Sequence, residues 1–443
     1  MEHYSRILKK KIQMGYWPGF IVGMYPSQFA YEPLKVNFKN VWENSEEVNL
    51  YYHIPFCKWK CPYCTFFSIV KNDTEYFSRY IDKINKQFEF YNNFFQKRIK
   101  IKSICFGGGT PNILPIKEYD KIFNTLAKGN VIFDKDLETS MEISPEIITD
   151  EYIEGLYHVG VRRLSLGVQS LKSDLRKSIN REENLNVLNV IDKIRKRDMN
   201  INIDLINGLM GQDKESFMET LREIVKLSPE TISIYPLSGE NNSMFKTSSK
   251  LMSTREKYEL FEIYYEYLLE NGYRCESHVK FVRLNQNSTH QQKIYEYNGV
   301  ETLGLGCGAR SYNSHVHYSM KYSCDSCVES NSIDEFISSK DFNELPWVGY
   351  VMNEEENKRR TVVYSFFLGI LDDSIYSKKF NSSVFDDFPE EINALIENEL
   401  VGIIDKTKLV LTKKGIKYTD LVGTLFWSEN INNVFKSLDK HLI

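Results

Sequence analysis

Six short apolar runs constrain the fold of this 443-residue chain more than any other feature. They are Val48–Ile54, Ile101–Phe106, Glu138–Ile143, Arg163–Val168, Asn200–Ile206 and Thr231–Tyr235. Longer amphipathic stretches separate them, near Thr74–Phe95, Ile116–Leu126, Asp150–Val159, helical pieces up to Arg197, and Lys214–Leu227. Short apolar runs alternating with helical segments read as βα units around a parallel sheet. Six units make either an open doubly wound sheet or an incomplete barrel. Cysteines, glycines, Glu142, Gln169 and Asp204 fall at or near the carboxyl ends of successive runs. In βα architectures that rim carries the site.

The loop after the first run reads Cys57-Lys58-Trp59-Lys60-Cys61-Pro62-Tyr63-Cys64, a C-x₃-C-x₂-C spacing. Three thiolates on one compact loop can hold three irons of a 4Fe-4S cluster and leave the fourth iron open to a small molecule. Zinc would want a fourth ligand nearby, and none follows at zinc spacing. A disulfide framework does not suit three cysteines this close together. Zinc or inert buried thiols remain the alternatives.

Composition removes other classes. A net charge of −4 gives no electrostatic reason to expect nucleic acid. No run of 18 apolar residues suggests a membrane span, and residues 1–30 show no secretory signal. Eight cysteines without such a signal fit a reducing cytoplasm. Hydrophobic content of 42% supports a sizeable core, and 28 Tyr with 27 Phe also suit a pocket for a flat or apolar ligand.

C-x₃-C-x₂-C with an aromatic residue before the last cysteine is the signature of the radical S-adenosylmethionine (SAM) enzymes. The wider stretch, from Tyr51-Tyr52-His53-Ile54-Pro55-Phe56-Cys57 to Cys61-Pro62-Tyr63-Cys64, resembles the subgroup of the oxygen-independent coproporphyrinogen III oxidase and its relatives. The resemblance implies an α/β fold with a partial (β/α)₆ barrel and a mixed α+β, partly winged-helix-like C-terminal region. It also implies that Cys57, Cys61 and Cys64 hold the cluster. SAM on the open iron is then cleaved by one electron to methionine and a 5′-deoxyadenosyl radical that abstracts hydrogen.

The same resemblance assigns further residues. Gly108, Gly109 and Thr110, in Gly107-Gly108-Gly109-Thr110-Pro111, would hold the SAM amino group, and Glu142 its ribose. Gln169, Arg181 and Asp204 match positions that contact a second SAM, with Arg181 and Asp204 as catalytic candidates. Tyr51, Tyr63, Ser238 and Arg310 complete the cofactor-binding candidates. Plainer readings stand beside these. A glycine run also makes a tight turn, Glu142 also suits an ion pair, and Arg181 and Asp204 also suit a buried pair with each other.

The sequence departs from the oxidase at Phe66, where that enzyme carries a fourth cysteine. The form Cys-Pro-Tyr-Cys-x-Phe resembles the heme chaperones and the methyl- or cyclopropane-forming relatives. Because the heme chaperones begin almost at the cysteine motif and this chain has a long arm before it, we expect a radical SAM enzyme with a second SAM as methyl or methylene donor. The alternative is a coproporphyrinogen III oxidase-like or heme-modifying oxidoreductase, or a heme chaperone with His53, His278 or a cysteine as ligand. A small-molecule or peptide substrate and an electron donor such as flavodoxin or ferredoxin are the expected partners.

The expected organisation is an arm over 1–47, the partial barrel over 48–240, an extension over 241–350 and a C-terminal region over 351–443. Within the extension, Gly299 to Tyr312 reads as a glycine-dense loop. Cys324 and Cys327 read as a surface or core pair, and His315 and His317 as surface-loop residues.

Overall fold

The computed structural model describes residues 2–14, 25–182, 185–237, 251–286, 290–323, 325–405 and 407–442. Ser238 and Cys324 therefore lie outside the described residues, as do residues 15–24 of the arm.

All six expected strands form: β1 (Glu47–Ile54), β2 (Ile99–Gly108), β3 (Val131–Ile143), β4 (Arg163–Gln169), β5 (Asn200–Asn207) and β6 (Thr231–Pro236). Neighbouring strands pair parallel and in sequence order. Sequential order matters, because same-handed crossovers then place every helix on one face. The other face becomes an inward-looking lumen, as in a barrel. The crossover helices include α1 (Thr74–Asn92), α2 (Ile116–Lys128), α3 (Asp150–His158), α4 (Ser173–Ser178), α5 (Val187–Arg195) and α6 (Lys214–Lys226).

The strands carry two different faces. Val48, Leu50, Tyr52 and Ile54 of β1 are buried, with Ile104 and Phe106 of β2 and Ile201, Ile203 and Leu205 of β5, in the main hydrophobic core. Alternate residues look into the lumen and are polar. Ser103 donates to Asn49 at 2.7 Å, Asn202 to Ser165 at 2.7 Å, and Ser233 to Asn202 at 2.9 Å. Period two thus builds an apolar outer layer and a hydrogen-bonded polar interior.

The parallel sheet does not close. Beyond β6 lie the antiparallel strands β7 (Tyr273–Ser277) and β8 (Lys280–Arg283), with β8 next to β6. On the opposite edge β1 pairs parallel with a seventh strand, β9 (Glu301–Leu305), followed antiparallel by β10 (Arg310–Tyr312), β11 (Val316–Met320) and β12 (Trp347–Val351). The architecture is an open α/β partial barrel with antiparallel flanks.

Two expectations are corrected here. The glycine-dense stretch is not one loop but the β9–β10 hairpin. A Cβ on Gly304 would lie 2.5 Å from the Arg310 carbonyl oxygen, so only glycine lets the two strands approach. Gly306 and Gly308 take φ of +97° and +90° to make the turn. His317 is not a surface-loop residue: it sits on β11 between β10 and β12 and is 1% exposed.

The C-terminal region has its own core of Val362, Phe366, Phe388, Leu395, Leu409 and others, which also takes in Leu8 and Tyr25 from the arm. Helix α7 (Glu354–Phe367) leads into a small antiparallel sheet of β13 (Ile370–Asp372), β14 (Val401–Ile404) and β15 (Lys408–Leu411). With helix Pro389–Glu397 before the β14–β15 hairpin, this is the expected winged-helix-like arrangement. Among the described residues no helix is long and apolar enough to cross a membrane.

Candidate active site at the barrel rim

The cysteine loop leaves β1 through Pro55 and is tied at its base. The Ile69 N–H donates to the Pro55 carbonyl at 2.8 Å, and Lys71 N–H to Cys57 at 3.1 Å. A turn from Cys64 N–H to the Cys61 carbonyl (3.0 Å) sets the spacing of the last two thiols. Inside the loop the Lys60 ammonium donates to the carbonyls of Phe66 (3.1 Å) and Ser68 (2.7 Å). Glu329, on the distant helix Ser326–Ser338, accepts from the Ser68 N–H at 3.0 Å and lies 3.7 Å from Lys60.

Cys57 and Cys61 are 7% and 9% exposed, and Cys64 is half-buried. Burial raises the Cys57 thiol and pushes Cys64 up to about 11. Thiols held protonated in this way become thiolates when iron takes the proton's place.

The surroundings fit a cluster. The Thr110 hydroxyl lies 3.5 Å from Cys57 Sγ, and Arg181 Nε donates to Cys61 Sγ at 3.4 Å. A Cβ on Gly109 would lie 3.0 Å from Cys57 Sγ and 2.7 Å from the Phe56 carbonyl oxygen, so the glycine keeps the thiol's approach clear. Thr110 N–H donates to the Phe56 carbonyl at 2.8 Å and locks the glycine run against the cysteine loop. Three soft donors on one loop, with hydrogen-bond donors aimed at their sulfurs, are the set an iron–sulfur cluster takes.

Next to this loop the lumen carries two carboxylates. Glu142, at the end of β3, accepts from Gly108 N–H at 3.2 Å. Burial, and secondarily the charge of Asp204, push it up to about 7 against the Gly108 N–H. Asp204 accepts from Ser165 Oγ and Asn202 Nδ2, each at 2.7 Å, and burial raises it. Glu142 and Asp204 line a small polar cavity with Cys105, Arg163, Tyr235 and His290. Tyr51 packs against Gly107, where a Cβ would lie 2.9 Å from its hydroxyl.

Arg181 pairs elsewhere than expected. Its guanidinium reaches Glu146 at 3.0 Å, not Asp204, and Glu146 also takes Arg176 at 2.6 Å. Burial pushes Glu146 up, but Arg181, the Ser144 hydroxyl and Arg176 outweigh it and hold the carboxyl below its ordinary value. Gln169, at a bulge in β4 with φ +66°, meets Arg181 around Gly167. Tyr63 packs on Leu175, Ile179 and Leu209 beside the same arginine. Arg310 comes from β10, donates to Gln28 and lies 5.0 Å from the Tyr322 ring. The rim thus gathers the cysteines, the glycine run, Glu142, Gln169, Arg181, Tyr51 and Tyr63, and separates Asp204 from Arg181.

Glu146, Lys60 and Glu329 were not among the sequence candidates. Glu146 had one signal, its place in the turn just after β3; Glu329 had none. Burial lowers His53 to about 4, so it is neutral at physiological pH. Its Nε2 lies 2.8 Å from the Phe67 carbonyl, which assigns the proton there and leaves Nδ1 to accept from Tyr51 at 3.3 Å. Both nitrogens are engaged, which disfavours His53 as a heme ligand. His278 lies beside the carboxyl end of β6, in a pocket with Asn207 and Pro236, against Phe367 and 3.6 Å from Asp420. Cys327 is exposed.

Comparison with known proteins finds similarity of the same kind. The radical SAM superfamily matches residues 51–224. The heme chaperone HemW of Buchnera aphidicola is 27% identical over 388 residues, covering 86% of this chain and 98% of that protein. The oxygen-independent coproporphyrinogen III oxidase of Helicobacter pylori is 26% identical over 439 residues, covering 94% and 92%. The solved coproporphyrinogen III oxidase of Escherichia coli shares the fold, with a TM-score of 0.78 over 94% of this chain and 98% of that one, at 22% identity. The expectation of a methyl- or cyclopropane-forming enzyme finds no support among these relatives. Radical SAM proteins use a 4Fe-4S cluster and SAM; the chain carries a radical SAM domain over residues 51–224 and, over most of its length, is similar to the oxygen-independent coproporphyrinogen III oxidases and the heme chaperone HemW.

Proposed function

We propose that this chain is a radical SAM oxidoreductase acting on a carboxylated tetrapyrrole of the coproporphyrinogen or heme type. The observation that carries the reading is full-length similarity: both kinds of relative align with barrel, extension and C-terminal region together, not with the radical SAM domain alone. Cys57, Cys61 and Cys64 would hold the cluster, and Gly108, Gly109, Thr110 and Glu142 would hold SAM. When bound, cluster and SAM supply reductive cleavage and a hydrogen-abstracting radical.

The residues of the chain do the rest. Glu142, buried and with its carboxyl pushed up to about 7, would accept hydrogen bonds from the hydroxyls of a ribose as the carboxylate. Neutral His53 and Tyr51 form one hydrogen-bonded unit under Gly108, where a Cβ would meet the His53 ring at 2.7 Å. Arg181 directs an N–H at Cys61 and fixes that side of the loop. The packed aromatic layer behind Phe56 keeps water from the cysteines. A one-electron donor of the flavodoxin or ferredoxin class would feed the cluster in a reducing compartment.

A second reading, heme transfer without SAM cleavage, draws on Phe66, which stands where the oxidase has its fourth cysteine. One experiment separates them. Reduced, reconstituted protein is given SAM with coproporphyrinogen III, or SAM with heme. Substrate-stimulated 5′-deoxyadenosine and a decarboxylated product support the oxidoreductase. Heme binding with no 5′-deoxyadenosine supports the carrier.

A further inference from the structure

We propose that Arg360 and Arg310, with Lys293, form a binding site for the carboxylates of a flat ligand, between the open edge of the barrel and the C-terminal region. The starting point is Arg360 on α7. It is 7% exposed, and among the described residues no carboxylate lies within ion-pair distance of it. Its Nε has no hydrogen-bond partner, and its other nitrogens reach only the Glu296 backbone carbonyl at a long 3.5 Å. Nearby acids are engaged elsewhere. The Glu296 carboxylate takes Lys293 at 3.2 Å, and Glu356 takes the Tyr25 and Tyr350 hydroxyls. A buried guanidinium without an anion is costly, and a bound carboxylate would satisfy its fork of donors.

A second observation brings further cations to the same place. Arg310 reaches the same space from β10, and Tyr31 feels both arginines. Lys293 faces it from helix Gln291–Tyr297 and feels Tyr312 and Tyr364. The Arg360 guanidinium lies over the Tyr364 ring at 4.4 Å. Two arginines from separate elements, with Lys293 beside them on its Glu296 partner and tyrosine rings between, suit a flat body with carboxylates at its edge. Arg310 also acts electrostatically on Tyr51 and His53, so the site adjoins the rim described above.

The ligand's identity rests on the tetrapyrrole reading; its negative charge rests on Arg360. The test titrates full-length protein with coproporphyrin III, the stable oxidised porphyrin, with its tetramethyl ester, and with benzene-1,2,4,5-tetracarboxylate, by fluorescence and calorimetry. Arg360→Gln should weaken coproporphyrin binding tenfold or more, and Arg360→Lys should restore part of it. The ester should bind both proteins equally, and iron content should not change. If Arg360→Gln does not fold, Arg310→Gln and Arg360→Lys carry the same comparison. If coproporphyrin fails to bind the native chain but the benzene tetracarboxylate binds through Arg360, the tetrapyrrole reading falls and the site stands. An affinity within twofold of native for both acids in Arg360→Gln, or no binding of either acid, overturns the site.

Discussion

Glu142 links the structure to a number. In the folded chain its carboxyl holds its proton up to about pH 7, whereas its ordinary value is 4.5. Between these two values the native state binds more protons than the unfolded one, so stability falls as pH rises through that window. At 1.36 kcal/mol per pH unit the full loss is about 3 kcal/mol, present below pH 4.5 and gone above pH 7. Glu142→Gln keeps the shape and the contact with Gly108 but has no proton to lose. Urea unfolding of the iron-free protein at pH 5 and pH 8 should show native protein losing about 2–3 kcal/mol more than the variant. In the proposed function the same carboxylate would hold the SAM ribose, and Glu142→Ala should then weaken SAM binding by about 1.5–3 kcal/mol, the worth of hydrogen bonds to a charged acceptor. Equal pH dependence in native and Glu142→Gln protein, together with unchanged SAM affinity in Glu142→Ala, would refute both the burial argument and the ribose role.

Three further outcomes follow from the rim. Gly109→Ala pushes a methyl into the Phe56 carbonyl and Cys57 Sγ; iron uptake on reconstitution should fall severalfold, and the melting temperature of the iron-free protein should fall with it because the backbone must shift to admit the methyl. Arg181→Met leaves Glu146 with Arg176 and the Ser144 hydroxyl and removes the N–H at Cys61, and urea unfolding should show a loss of about 1.5–3 kcal/mol, the worth of hydrogen bonds to a charged group. Glu329→Ala frees the Ser68 N–H and leaves Lys60 without its acid, so the Ser68 amide should exchange hydrogen at least tenfold faster in the iron-free protein.

Much of this architecture was legible because it is local. Strand runs such as Asn200–Ile206 and helices such as Lys214–Leu227 announce themselves by period, and the observed elements Asn200–Asn207 and Lys214–Lys226 end within one residue of them. The cysteine spacing is also local, so the loop that carries the candidate ligands could be singled out directly. Long-range decisions could not. Glu301–Leu305 joins the sheet only because β1 offers it an edge, and its glycines, read alone, are loop residues. Arg181 had several acids within reach of the rim, and only the folded turn after β3 shows that it takes Glu146, 35 residues away in sequence. Glu329 lies 261 residues from Ser68, beyond any sequence pattern. The polar lumen was present as alternation inside the strands, but apolar runs drew attention to the other face.

The most direct measurement is on anaerobically reconstituted protein reduced with dithionite and supplied with SAM. About four irons per chain and release of 5′-deoxyadenosine are expected, with both lost when Cys57, Cys61 and Cys64 are replaced by Ala. Full iron content in the triple variant, or a fully loaded native protein that leaves SAM intact with every tetrapyrrole tried, would contradict a SAM-cleaving cluster on this loop.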